Sequence, residues 1–198
     1  VDSTIPVKGK TGAAAAMKGG TVPLRLYIED SRQQRAAMVL RHVEYIIEEW
    51  IDFDYEISVI ATRDRFGHVV TYPIPINEHR DGILHISKIT GDIRSEAYQN
   101  AVDYTERIIT NLDYVGTLAV EYFVRGNEVL FNEFAPRPHN SGHYSIEGCD
   151  VSQFRNHIRA ITGDEVLSPR LKSPTAMINV IGKNVAYYKR SNGYSCHI

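Results

Sequence analysis

Two glutamates carry the strongest chemical suggestion in the sequence. Glu121 lies in Leu118-Ala119-Val120-Glu121-Tyr122-Phe123-Val124, and Glu133 lies in Val129-Leu130-Phe131-Asn132-Glu133-Phe134. Both runs are rich in β-branched and aromatic residues, and Arg125-Gly126-Asn127 between them is a hairpin signal. A turn centred on Asn127 sets Glu121 opposite Glu133. Opposed residues of an antiparallel pair project from one face with Cβ atoms about 5 Å apart. Two carboxylates at that separation repel unless a cation lies between them. An oxygen-only pair suits Mg²⁺, which takes one or two carboxylates and completes its shell with phosphates and water. The same spacing also describes two solvated glutamates on an exposed sheet face. Asn132 adds a condition: in a regular strand it faces away from Glu133, so it joins the pair only through a twist or bulge.

The segment after the second strand is dense in polar groups. It reads Asn132-Glu133-Phe134-Ala135-Pro136-Arg137-Pro138-His139-Asn140-Ser141-Gly142-His143. Two prolines stiffen its backbone. Arg137 offers a planar fork that fits a carboxylate or a phosphate. His139, Asn140, Ser141 and His143 add donors and acceptors. A self-satisfied surface loop is the other reading of the same residues.

The elements that must hold these groups follow from periodicity. Arg32 to Glu49 shows helical spacing at Ala36, Leu40, Val43 and Ile47, with a break into an extended segment near Tyr45. Glu56 to Ala61 and Val69 to Ile76 read as strands, the second ended by its prolines. Ser95 to Leu112 has the apolar spacing of an amphipathic helix. Thr117 to Val124 and Glu128 to Phe134 form the hairpin, Val151 to Thr162 a helix ended by Gly163, and Met177 to Ile181 a last short strand. Helices mixed with hairpin strands indicate an α+β class.

Bulk properties exclude several functions. With 198 residues, 43% hydrophobic and 23% charged, the chain has the mix of an ordinary globular protein. A net charge of -2 gives no basic surface for nucleic acid. No apolar run is long enough to cross a bilayer, and no basic-then-apolar leader opens the sequence, so neither a membrane nor a signal peptide is expected. Two cysteines, Cys149 and Cys196, make no disulfide framework and point to a reducing cytoplasm.

The residues quoted above resemble a known family. Tyr114-Val115-Gly116-Thr117-Leu118-Ala119-Val120-Glu121, together with the run from Asn132 to His143, looks like the signature of the 5-(carboxyamino)imidazole ribonucleotide synthases. These are ATP-grasp ligases of purine biosynthesis. Flanking stretches agree: Glu48-Glu49-Trp50-Ile51 through Glu56-Ile57-Ser58-Val59, Asn77 to Leu84, and Ser152-Gln153-Phe154 with His157-Ile158-Arg159-Ala160. The match runs over roughly residues 45–183.

The resemblance implies an ATP-grasp fold of two lobes, each an antiparallel sheet flanked by helices. Residues 1–48 would form the small lobe with its phosphate-covering loop, and 49–198 the large catalytic lobe. The family's amino-terminal Rossmann-like domain is absent from this sequence. The implied reaction carboxylates aminoimidazole ribonucleotide with bicarbonate at the expense of ATP, through carboxyphosphate. Its implied cofactors are ATP and Mg²⁺, and its implied assembly a homodimer. Residue by residue, Glu121 and Glu133 resemble the metal-bridging glutamates and Asn132 the adjacent phosphate or metal contact. Glu48, Glu49, Trp50 and Ile51 resemble the hinge that meets adenine. Glu56 resembles the ribose acceptor, and His79 a nucleotide-site histidine. Arg137, His139 and Asn140 resemble the bicarbonate and ribonucleotide contacts. Lys10 and Lys18 stand where the phosphate-covering loop belongs, although its usual aromatic and aspartate are missing. Another ATP-grasp carboxylate–amine ligase, or an ATP-binding fragment without turnover, are the competing readings.

Overall fold

The computed structural model describes residues 24–27, 45–48, 51–80, 82–91 and 95–180. Lys10, Lys18, Glu49 and Trp50 lie outside the described residues, as does the expected helix up to residue 44. The chain divides into two compact units. One comprises Val1–Asp52 with His79–Ile83, the other Phe53–Glu78 with Leu84–Ile198.

In the first unit, β1 (Leu24–Tyr27) pairs with β2 (Tyr45–Glu48), from Leu24↔Tyr45 to Tyr27↔Glu48. The pair is parallel. The extended segment expected near Tyr45 is β2.

The second unit is built on β3 (Tyr55–Arg63) and β7 (Gly116–Arg125). They pair antiparallel from Tyr55↔Val124 to Arg63↔Gly116. Beside them run β4 (Val69–Thr71), β5 (Ile76–Arg80), β6 (Ile83–Ile89), β8 (Glu128–Ala135) and β9 (Thr175–Ile178). The strand order is β8-β7-β3-β5-β6-β9, with β4 on β3. β3 is covered on both faces, one apolar through Ile57, Val59 and Ala61, the other carrying the buried polar residues Glu56, Ser58 and Thr62 beside Ile60. Accordingly every residue from Glu56 to Thr62 is buried. On one face Ile57, Val59, Ala61, Leu118, Val120, Tyr122 and Val124 pack against α1 (Glu96–Asn111) through Ala97, Tyr98, Ala101 and Ile109. Ser95 caps that helix, its side chain accepting from the Tyr98 N–H. Thr105 Oγ1 and Tyr122 Oη, 2.8 Å apart, tie α1 to β7. On the other face Ile60 and Ala119 pack with Tyr72, Ile89, Tyr144 and Cys149.

This second face also receives a 3-10 turn (Asn140–Gly142), the short α2 (Ser145–Gly148) and α3 (Gln153–Thr162). The Ser152 side chain caps α3 and Gly163 ends it. The helix starts at Gln153, not Val151, because Ser152 adopts the extended backbone of an N-cap. Gly116, at φ +129, lets the His157 ring approach: a Cβ there would stand 3.1 Å from it.

Two expectations about strands are revised. The run Val69 to Ile76 is not one strand: β4 ends at Thr71 and β5 begins at Ile76. Pro73 and Pro75 between them have no N–H for a ladder. The last strand begins two residues earlier than expected and pairs with β6, from Ile86↔Ile178 to Ile89↔Thr175.

Asp64 locks the turn after β3. Its Oδ1 accepts the N–H groups of Phe66 (2.9 Å) and His68 (3.0 Å), while Oδ2 meets His68 Nδ1 (3.1 Å) and the Val166 N–H (3.2 Å). Burial pushes the carboxyl pKa up, but the hydrogen bonds from Val166, His68 and Phe66 outweigh it and hold it below 3.8. A depressed carboxylate contributes stability that is present above the unfolded pKa and lost as pH falls through the folded one. Asp64→Asn should therefore cost about 1.5–3 kcal/mol near neutral pH. Its deficit should shrink below about pH 4 in urea melts repeated across pH.

Candidate active site

The bulge in β8 is the local feature that builds the site. The hairpin loop is Gly126-Asn127, with Arg125 opposite Glu128. A regular ladder from that loop pairs Tyr122 with Phe131, and would leave Glu121 facing Asn132. The register instead shifts between Glu121 and Tyr122, so that Glu121 pairs with Glu133 and Asn132 is the extra residue. The expected pairing is present, but the turn is centred half a residue earlier than the sequence suggested and the bulge makes up the difference. Asn132 and Glu133 both oppose Glu121, which resolves the alternation that would have turned Asn132 away.

Register places further groups on this face. Ser58 pairs with Glu121 and Glu56 with Phe123, so Glu56 and Ser58 share the face of Glu121. Asn77 pairs with Glu56. It is held from both sides: Asn77 Nδ2 donates to Ser58 Oγ at 2.5 Å, and Ser87 Oγ donates to Asn77 Oδ1 at 2.7 Å. Glu56, Glu121 and Asn132 are buried, whereas Glu133 is exposed. The Phe123 ring stacks on Phe53, with centroids 4.4 Å apart and planes 13° apart.

The polar run folds back over the same face. His139 Nε2 stands 3.8 Å from Glu121 Oε1. Its Nδ1 lies 2.8 Å from Ser141 Oγ and 3.4 Å from the Ser141 backbone nitrogen. A backbone N–H can only donate, so Nδ1 is the acceptor. Neutral His139 therefore carries its proton on Nε2, toward Glu121. Arg137 is exposed, and its Nη1 donates to Pro138 O at 3.0 Å. Asn140 opens the 3-10 turn and is half-buried. His157 Nδ1 accepts the Thr117 N–H at 3.0 Å, and burial lowers its pKa, so this ring is neutral and structural.

Residues 21–154 match the model of the ATP-grasp domain. The chain belongs to the ATP-grasp family. Among proteins similar to this ATP-grasp chain is the N5-carboxyaminoimidazole ribonucleotide synthase of Bacillus subtilis. It is 39% identical over 158 residues, which are 79% of this chain and 42% of that protein. Two solved structures also superpose well. An N5-carboxyaminoimidazole ribonucleotide synthetase in its ADP complex has a TM-score of 0.76 at 36% identity, covering 84% of this chain and 45% of that one. The Staphylococcus aureus synthetase complexed with ADP has a TM-score of 0.73 at 35% identity, covering 83% and 44%. The chain thus spans less than half the length of these relatives.

Within this ATP-grasp chain the second unit brings together Glu56, Glu121, Asn132, Glu133 and His139. Glu48 ends β2, Ile51 is half-buried and His79 lies half-buried on β5, all in the first unit. Phe123 and the Ser58–Asn77–Ser87 chain were not singled out from the sequence. The available signal was spacing: Phe123 follows Glu121 by two residues and Ser58 follows Glu56 by two, the repeat of one strand face. Among the described residues no group of three or more His, Cys, Asp and Glu side chains gathers to hold a metal. No described helix is long and apolar enough to cross a membrane.

Proposed function

We propose that this chain is the ATP-binding catalytic part of an N5-carboxyaminoimidazole ribonucleotide synthase. ATP, bicarbonate and aminoimidazole ribonucleotide would give the carboxyamino product, ADP and phosphate. The observation that carries the reading is the bulged pairing of Glu121 with Asn132 and Glu133, with His139 3.8 Å from Glu121. The names of its relatives support it.

The residues fit Mg²⁺: two opposed carboxylates and a neighbouring amide are hard oxygen donors, and two carboxylates leave most of the shell to phosphates and water. When bound, the metal supplies positive charge for the transferring phosphoryl group. Glu121, Glu133 and Asn132 would hold it. Glu56 accepts a ribose hydroxyl, and Phe123, opposite Glu56 and stacked on Phe53, packs the sheet beside it. Glu48, Glu49, Trp50 and Ile51 meet adenine, His79 lines the nucleotide site, and Lys10 and Lys18 cover the phosphates. Residues 1–48 serve as the small lobe and 49–198 as the large one.

Bicarbonate is a poor electrophile. Its oxygen attacks the γ-phosphorus, ADP leaves, and the carboxyl carbon of carboxyphosphate then has phosphate as a leaving group. The substrate amine attacks that carbon, the C–O bond to phosphate breaks, and the proton lost by the amine leaves on the phosphate. Arg137 grips the planar carboxyl with its fork. His139, protonated at Nε2, and the Asn140 amide donate to its oxygens. Donors fixed before the reaction stabilise the charge that develops at no reorganisation cost. Cytoplasmic location and a homodimer belong to the same reading. The buried Cys149 thiol suits a reducing compartment, since burial pushes its pKa up to about 11 and makes it unreactive.

The test is ADP release by the protein with and without bicarbonate, and then with aminoimidazole ribonucleotide. Release that requires bicarbonate and rises with the ribonucleotide is expected. Release indifferent to both, from a protein that binds ATP, would point to another ATP-grasp ligase.

A further inference from the structure

Gln153 lies outside every role given above, yet it is fully buried and spends both ends of its amide on one residue. Its Oε1 accepts the His139 backbone N–H at 2.9 Å, and its Nε2 donates to His139 O at 2.6 Å. A buried amide needs its partners, but a helix residue can find them in many places. Here both lie on the residue whose ring approaches Glu121.

The Gln153 backbone is itself held from two elements, α2 and β7. The Gln153 N–H donates to Ser145 Oγ at 3.0 Å, and Ser145 Oγ donates to Gly142 O at 2.6 Å. Thr117 Oγ1, at the start of β7, donates to Gln153 O at 3.2 Å. Gly142 leaves the room required: a Cβ there would stand 2.5 Å from Gln153 Oε1 and 2.7 Å from its Cδ. Gln153 thus fixes the His139 backbone, while Ser141 fixes the rotation of its ring at Nδ1. The two constraints together aim Nε2–H. Without Gln153, Ser141 would still bond the ring, but both would move as one loose turn.

We propose that Gln153 is a positioning residue that holds the His139 backbone by a two-point amide clamp, so that Nε2–H points at the Glu121 side of the carboxylation site. The claim for catalysis rests on the function proposed above; the claim for geometry does not.

Gln153→Met keeps the side-chain length and removes both hydrogen bonds. Gly142→Ala leaves Gln153 in place but drives its amide away, and serves if the first variant does not fold. Each is made in the intact protein. In either variant kcat for bicarbonate-dependent ADP formation should fall about tenfold to a hundredfold. The KM for ATP should stay within about twofold, since the clamp acts on His139 and leaves the pairing of Glu121 with Glu133 in place. Nitrogen-15 spectra of the histidines should show the His139 Nε2–H sharp and slow to exchange with water in the wild type, and broadened and fast to exchange in the variants, with Nδ1 still the acceptor from Ser141. A folded variant with wild-type kcat, or one whose KM for ATP worsens as much as kcat falls, overturns the catalytic claim. An unchanged His139 spectrum overturns the clamp. If the wild type shows no bicarbonate-dependent turnover, the proposed function fails first, and the spectrum alone decides whether Gln153 positions His139.

Discussion

Glu133→Gln should abolish most turnover while leaving the ligand-free protein as stable as before, or more so. The substitution is nearly isosteric and removes one of two carboxylates opposed across β7 and β8. Glu133 is the exposed member and Glu121 the buried one, with His139 nearby. Removing the charge at Glu133 therefore relieves repulsion without stranding a buried group. A like-charge pair directly opposed costs on the order of 0.5 kcal/mol, which is the gain expected. A metal that neutralises developing charge contributes several kcal/mol to lowering the barrier, so a loss of about a thousandfold in kcat is expected. Thermal melts separate the two effects. The wild type should gain much more from ATP with Mg²⁺ than the variant does. A variant that is less stable without ligand, yet gains as much from it as the wild type, would make Glu133 a structural ion-pair partner and remove it from the metal site.

The sequence made this pair legible because strand pairing is nearly a counting problem. Once Gly126-Asn127 is the turn, each residue's partner follows, and the only error is the bulge. The bulge left a trace as well. Asn132 and Glu133 are adjacent polar residues between the apolar runs Val129-Leu130-Phe131 and Phe134-Ala135, and adjacent residues cannot share a face without an irregularity. β5 and β6 were not legible in the same way. Asn77-Glu78-His79-Arg80 has no apolar alternation, because Asn77 satisfies its polarity inside the sheet through Ser58 and Ser87. Polar residues paired with one another in a core read from the sequence as a loop. Gln153 was hidden for the same reason. On a helix beginning Gln-Phe-Arg-Asn after its Ser152 cap, nothing local tells a buried amide from a solvated one. Only the approach of His139 and the missing Cβ of Gly142 make the difference. Motif and strand register are one-dimensional properties, whereas contacts between α3, β7 and the polar run exist only after folding.

Arg137→Lys should cut turnover about a hundredfold and leave ATP affinity nearly unchanged. Arginine differs from lysine in its planar fork, which can anchor to one acceptor and still present a second pair of donors. The structure supplies the anchor: Nη1 donates to Pro138 O at 3.0 Å. The Arg137 backbone N–H donates to Ala135 O at 2.8 Å, which holds the chain directly after β8. Pro136 and Pro138 on either side restrict the backbone further. A lysine ammonium at this position can meet the Pro138 carbonyl or a bound carboxyl, but it cannot hold both in one plane. The positive charge is conserved, so long-range attraction of bicarbonate survives and the loss falls on orientation. Arg137 is exposed, so the stability of the ligand-free protein should change by less than about 0.5 kcal/mol. Calorimetric titration with a non-hydrolysable ATP analogue, alongside bicarbonate-dependent turnover, makes the comparison. Equal losses in nucleotide affinity and in turnover would place Arg137 on the nucleotide, and the bicarbonate contact would have to be sought at His139 and Asn140 alone.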